Sequence, residues 1–243
     1  MTQSLMPEKI KTIESINTLP DMDNIAEVVL NYHSFGIRAA NIENERNCAS
    51  MLVNKMYSWR GYGDNHIIKK EPNKLTLTAT DNMNNIIGTI TIGIDSNVGL
   101  LSDNLFKECI NPYRINGRVC EFTKLAIDPE TKSKEILASL FHIAFLYARD
   151  IHGCSDIFIE VNPRHVRFYQ SMFNFNIECQ EIKNNSRVDA PAVLLRLNTQ
   201  YGTDLITRYV ENKEKAPARS LFPYFFSKKE ELGILNRLKN IEE

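Results

Sequence analysis

Residues 118–153 read RVCEFTKLAIDPETKSKEILASLFHIAFLYARDIHG. The run Cys120–Ile127 mixes apolar and β-branched residues. With a strand's period of two it places Glu121, Thr123, Leu125 and Ile127 on one face, and Phe122, Lys124 and Ala126 on the other. After a short polar loop, Ile136, Leu137, Leu140, Phe141, Ala144, Phe145 and Ala148 recur at steps of three and four. That spacing predicts a helix of about four turns with one broad buried side. A carboxylate inside such a strand needs a reason: Glu121 is either a solvated strand end or a functional group.

Toward the amino terminus, 95–104 (DSNVGLLSDN) is a polar loop, followed by a short helix near Leu105–Ile110. Leu75–Thr80 and Ile86–Ile94 form a hairpin about the turn residues Asp81–Asn85. Before it lies a helix capped by Asn41, with Glu43 and Glu45 in its positive first turn. Ile42, Ala49, Leu52, Val53, Met56 and Tyr57 share one side of it, and Gly61–Gly63 end it. Trp59 and Tyr62 serve either as rim packing or as the cover of a pocket mouth. His33–Ala40 reads as a first strand, Ile25–Leu30 as helix or strand, and residues 1–24 as a loose arm outside the domain.

Toward the carboxyl terminus, Asp156–Val161 is a near-continuous apolar strand, the mark of burial on both faces. Asn162 caps a helix with Pro163 at its first position and Val166, Tyr169 and Phe173 along one side. Phe175–Ile182 and Ala192–Leu197 make a hairpin about KNNSR (183–187). A helix over Thr203–Glu214, an aromatic linker at 220–226 (SLFPYFF) and a helix opened by the capping box Ser227/Glu230 complete the chain. The order predicts an α/β (α+β) protein: a mixed sheet flanked by helices over 25–200, with a helical extension at 201–243 packed on it.

The 243 residues are 43% hydrophobic and 24% charged, an ordinary soluble balance with a core of full size. A net charge of −1 gives no global attraction to nucleic acid. No apolar run is long enough to span a membrane, and MTQSLMPEKI lacks the apolar centre of a signal peptide. Five scattered cysteines without CxxC spacing, and five scattered histidines, fit reduced thiols in a cytoplasm and no metal site.

The order of elements resembles that of the GNAT acyltransferase superfamily. IRAANIENER (37–46), MYSWRGY (56–62), GTITIGIDSNVGLLSD (88–103), CEFTKLAI, VNPRHVRFY (161–169) and VDAPAVLLRL (188–197) further resemble the long-chain N-acyl amino acid synthase family, itself similar to acyl-homoserine-lactone synthases. The match runs in order from about residue 33 to 198. It implies a GNAT-like fold whose central strand parts from the next one, with the donor's pantetheine arm in the gap. It also implies transfer of a long acyl chain from acyl carrier protein to the α-amine of an amino acid. The superfamily's glycine-rich phosphate turn is absent, for the turn here is Pro129–Lys134. That departure weighs against a plain acetyl-CoA enzyme.

Acyl transfer needs a deprotonated amine, a stabilised oxyanion and a proton for the leaving thiolate. With the resemblance included, Glu121 is the candidate base, against a structural ion pair. Thr123 binds substrate or water, or only packs. Tyr169 is the candidate acid, against a core aromatic, and His165 is catalytic, donor-binding or a surface group. Leu125, Ala126, Ile127 and Asn162 would line the donor arm. Lys132, Lys134, Arg164 and Arg167 would ring the donor entrance and steer an acidic carrier protein. Arg38 suits the acceptor's carboxylate, or else bridges to Asp95 or Asp103. Leu100, Leu101, Leu105 and Phe106 are available for the acyl chain. No tightly bound cofactor is expected, only acyl-phosphopantetheine or acyl-CoA as donor substrate. A peripheral membrane contact for product release is also open. Left standing are a homoserine-lactone-type signal synthase, a CoA-dependent N-acyltransferase, and a non-catalytic acyl-binding sensory module.

Overall fold

The computed structural model describes residues 35–131 and 133–242. The expected arm, the segment 25–30, His33 and Lys132 lie outside the described residues.

Among the described residues seven strands form one sheet in the order β1-β2-β3-β4-β5-β7-β6. They are β1 (Phe35–Ala39), β2 (Lys74–Asp81), β3 (Ile86–Ile94), β4 (Arg118–Ile127), β5 (Cys154–Val161), β6 (Asn176–Asn185) and β7 (Ala190–Asn198). Only β4 and β5 run parallel, because α3 (Lys134–Leu146) carries the chain back across the sheet between them. Asp81 folds the β2–β3 turn by accepting the N–H groups of Met83 and Asn85, each at 2.8 Å.

Strand alternation sorts the core into two layers. Leu75, Leu77, Ala79, Ile90, Ile92 and Ile94 face α3 in the main core. The opposite face carries buried threonines, of which Thr76 and Thr91 are hydrogen bonded at 2.8 Å. On that second face α1 (Glu43–Ser58) covers Ala126, while α2 (Asp103–Asn116) covers Val119, Phe158 and Leu194.

The uniform alternation expected for β4 is broken at Lys124, which has φ +50°. Thr91 pairs with Thr123 but Thr89 pairs with Ala126, so Lys124 and Leu125 together oppose one residue of β3. This β-bulge reverses the parity of the strand. Glu121, Thr123 and Ala126 therefore share the α1/α2 face, whereas Phe122, Leu125 and Ile127 face α3. The Thr89 hydroxyl donates to the Lys124 carbonyl at 2.8 Å and pins the bulge.

Several boundaries also move. The N-cap of α1 is Ile42 rather than Asn41, and Glu45 accepts the N–H groups of both. Helix α2 runs through Pro112 to Asn116, with a kink at Phe106. After Asn162, a 3-10 turn (Pro163–His165) leads into α4 (Val166–Phe173). Asn198 opens α5 (Thr199–Glu211) four residues early by accepting the Tyr201 N–H at 3.0 Å. The aromatic linker 220–226 packs inward: Leu221, Phe222, Phe225 and Phe226 are buried in the main core. Ile234 and Leu238 of α6 (Lys228–Glu242) join them there. Among the described residues no helix is long and apolar enough to cross a membrane.

Candidate active site

Beyond the pairing of Glu121 with Phe158, β4 and β5 part, and β5 continues against β7 alone. A cavity of about 780 Å³ opens in the gap, within the usual range for small-molecule sites. It passes between the two faces of the sheet. On the α1/α2 face its wall is polar, with Glu121, Thr123, Glu160, Asn185 and Arg187. On the α3 face it is apolar, with Phe122, Leu125, Leu137, Ile159, Phe168, Met172 and Leu221.

Glu121 is only 2% exposed. Its carboxylate accepts the N–H of Leu101 (2.7 Å), the N–H of Ser102 (3.0 Å) and the Ser102 hydroxyl (2.9 Å). The charge thus sits at the positive amino end of α2. Burial raises its pKa above the ordinary value; these three donors and Arg187 pull the other way without cancelling it. Gly93 lies opposite, where a Cβ would stand 3.3 Å from the Glu121 Cγ.

Thr123, Leu125, Ala126, Ile127, Lys134, Asn162, His165 and Tyr169 all line the cavity with Glu121. Asn162 also caps its turn, accepting the Arg164 N–H at 3.1 Å. His165 Nε2 lies 3.3 Å from Arg164 Nε, and burial with the cations Arg164 and Arg60 lowers its pKa. The Tyr169 phenol is pushed upward by burial and by Tyr57 and Tyr62, so it stays protonated at neutral pH. Arg164 is exposed and, like Arg167, outside the lining, but it donates to the Tyr62 hydroxyl (2.8 Å) and the Arg60 carbonyl (3.0 Å), both on the cavity wall. Tyr62 is therefore a wall residue, while Trp59 is 76% exposed beneath Arg60.

Other expected site residues stand elsewhere. Arg38 is on edge strand β1, three strands from β4, and turns to Asn84 (3.1 Å), Thr80 (3.4 Å) and Glu45 (3.9 Å). The bridges to Asp95 and Asp103 are made instead by Arg114, at 2.7 and 2.8 Å. Leu100, Leu105 and Phe106 belong to a separate core under α2, and of that group only Leu101 reaches the cavity. Arg167 is exposed on α4, outside the lining.

Reasoning from the sequence missed the wall formed by Tyr57, His66, Glu160, Asn185, Arg187 and Leu221. Glu160 carried the same signal as Glu121, a carboxylate in an apolar strand.

Comparison with known proteins identifies the chemistry. The sequence model of the family N-acyl amino acid synthase FeeM matches residues 48–198, more than half of the chain. The chain belongs to the FeeM family of N-acyl amino acid synthases. No curated protein sequence matches it. Among solved structures it is similar to FeeM, an N-acyl amino acid synthase from uncultured soil microbes, at 25% identity and a TM-score of 0.61. That alignment covers 70% of this chain and 93% of FeeM. The AHL synthase LasI shares the fold at 11% identity and a TM-score of 0.50, over 68% of this chain and 90% of LasI. As in FeeM-family enzymes generally, the activity is that of an N-acyltransferase on a GNAT-like fold.

Proposed function

We propose that the enzyme transfers a long-chain fatty acyl group from the phosphopantetheine thioester of acyl carrier protein to the α-amine of an amino acid. One observation carries this reading: the cavity joins a polar half on one face of the sheet to an apolar half on the other. An amino acid has charges to satisfy at one end of the reaction, and an acyl chain needs a water-excluding channel at the other. The amine attacks the thioester carbonyl in the gap between the strands. Glu121 takes up the ammonium proton, directly or through water, and Thr123 binds beside it. Tyr169 supplies the proton to the departing thiolate, with neutral His165 at the donor side. The donor arm lies along Leu125, Ala126, Ile127 and Asn162.

Two features favour a carrier-protein donor. The amino end of α3 opens without glycine, and Ser133 already accepts the Ile136 N–H there at 3.3 Å. Lys134 lines the cavity, Arg164 bonds to the wall residues Tyr62 and Arg60, and Arg167 lies farther along α4. A cytoplasmic location follows from such a donor.

The test supplies acyl carrier proteins and acyl-CoAs of graded chain length with an amino-acid mixture, followed by mass spectrometry. Long-chain N-acyl amino acids formed from the carrier protein are expected. Formation of a lactone, or turnover of short acyl-CoA alone, would overturn the proposal.

A further inference from the structure

On β5, Phe158 pairs with Glu121 and packs under α2, while Ile157, Ile159 and Val161 point into the main core. Glu160, two residues beyond Phe158, therefore shares the face of Glu121 and Thr123. Its side chain is 10% exposed and faces the cavity. The Asn185 side-chain amide donates to one of its oxygens, and Arg187 Nη2 lies 2.9 Å from the other.

Arg187 comes from the β6–β7 turn, where Asn185 also accepts its backbone N–H at 2.8 Å and its Nε–H at 3.3 Å. Its Nη1 makes one long contact, 3.4 Å, to the carbonyl of Leu101. A guanidinium carries five N–H groups. Among the described residues these bonds leave one on each terminal nitrogen, on a side chain that is 37% exposed. Leu101, the partner of that contact, is the residue whose N–H is held by Glu121. Glu121, Glu160 and Arg187 are thus one contiguous polar wall.

An amino acid presents a carboxylate and an ammonium on one carbon, so its site needs a planar cation beside an anion. Among the described residues the other cations on the cavity wall are committed or misplaced. Lys124 Nζ donates to the Ile67 carbonyl, and burial lowers its pKa. Arg60 donates to the Met56 carbonyl at 3.0 Å and covers Trp59. Lys134 lies on α3, over the Tyr224 ring.

We infer that Glu160 and Arg187 form the acceptor subsite. Arg187 takes the α-carboxylate on its two remaining N–H groups. Glu160 holds the α-amine on its free lone pairs, at the gap beside Glu121. Asn185 fixes both side chains before the amino acid arrives. This assignment rests on amino-acid acylation as proposed above, and it replaces Arg38 in that role.

The test compares an amino acid with its own primary amide, which keeps the side chain and amine but lacks the carboxylate charge. At a fixed acyl donor, wild-type enzyme is expected to prefer the acid strongly. Arg187→Met should lower kcat/KM for the acid on the order of a hundredfold, as for loss of a desolvated charge pair. The amide should lose at least tenfold less than the acid, since it loses only Arg187's support of Glu160 and Glu121, and the donor KM should hold within about twofold. Arg187→Lys should lose on the order of tenfold on the acid alone, because it keeps the charge without the fork. Its ratio decides the matter should Arg187→Met fail to fold, as judged by circular dichroism. Equal losses on acid and amide mean a purely structural Glu160–Arg187 pair and overturn the assignment, as does an unchanged acid preference. A wild-type enzyme that acylates no amino acid removes the activity itself, and the subsite with it.

Discussion

Glu121 combines two demands that usually conflict, since it is buried as a carboxylate and yet lines the cavity. Three donors from the 101–102 turn make the ionised form tolerable, and its pKa still lies above the ordinary 4.5. As a base it should therefore give a kcat/KM that rises with pH through a value above that of a free carboxylate. Glu121→Gln should cut turnover by on the order of a hundredfold or more. It leaves one acceptor oxygen for three donors, so a stability loss of about 1–3 kcal/mol should accompany it. Ser102→Ala is the companion: with one donor gone, the pH profile should move upward while activity persists. Near-normal turnover in the glutamine variant would leave Glu121 as a clasp for α2 and nothing more. The residue was legible because a carboxylate stood in an apolar strand. Glu160 stood in the same kind of run but was absorbed into DIFIEV, and Arg187 into a turn. Arg38 was misplaced for another reason: a strand's sequence does not say which edge of a sheet it will occupy.

Elements were most legible where local chemistry decides them, as in the β2–β3 hairpin and the Ser227/Glu230 capping box. The bulge at Lys124 was not, because it depends on the register with β3 and on the Thr89 hydroxyl, both remote in sequence. The turn that presents Leu101 and Ser102 to Glu121 contains Gly99, at φ +74°. A Cβ there would run into the Asp103 carboxylate, which accepts the Leu100 N–H and the Arg114 guanidinium, each at 2.8 Å. Gly99→Ala should lower stability by at least about 1–2 kcal/mol from the left-handed backbone alone, read by denaturant melts. Activity should fall with it, through the loosened turn. At the other end, α6 is tied to α3 by His142, which is fully buried. Its Nδ1 accepts the Phe226 N–H at 3.0 Å, so the proton is on Nε2, 3.2 Å from Glu231. Lys228 also contacts Glu231, and Arg149 and Asp150 act on the histidine from the helical turn Tyr147–Ile151 that follows α3. Burial holds the His142 pKa below its ordinary 6.5, and its neighbours hold Glu231 at about 2. As pH falls past 6.5 the unfolded chain takes the histidine's proton first, and between 4.5 and about 2 it takes the glutamate's. Both steps remove stability on acidification. The melting temperature should therefore fall from pH 7 to pH 5, and His142→Gln should flatten that slope; a slope unchanged in the variant would rule out the histidine.

At the scale of the molecule, the sheet parts between β4 and β5 and its two faces differ in polarity, so the cavity has an orientation as well as a volume. The layered α/β class was legible from alternating strand and helix periods. The apolar half was not, because α4 and residue Leu221 complete it from distant parts of the chain. That orientation bears on the donor. A CoA donor brings a pyrophosphate that must approach the backbone at the start of α3 closely, which glycine allows and side chains hinder. Here Pro129, Glu130 and Thr131 stand before the cap Ser133, and Asp128 accepts the Glu130 N–H at 3.0 Å while it pairs with Lys55. A carrier protein keeps its single phosphate outside and contributes an acidic surface of its own. Lys134 and Arg167 would attract that surface over distance, so their effect should weaken as salt shortens the Debye length to about 3 Å at 1 M. The enzyme should prefer acyl carrier protein to the matching acyl-CoA at low ionic strength, with the preference narrowing as salt rises. Lys134→Glu combined with Arg167→Glu should raise KM for the carrier protein by on the order of tenfold and leave acyl-CoA nearly unchanged. Steady-state kinetics with both donors across a salt series measure this. An enzyme insensitive to salt, and faster with acyl-CoA, would mean that the crowded turn still admits a pyrophosphate and that Lys134 and Arg167 do not recruit the donor.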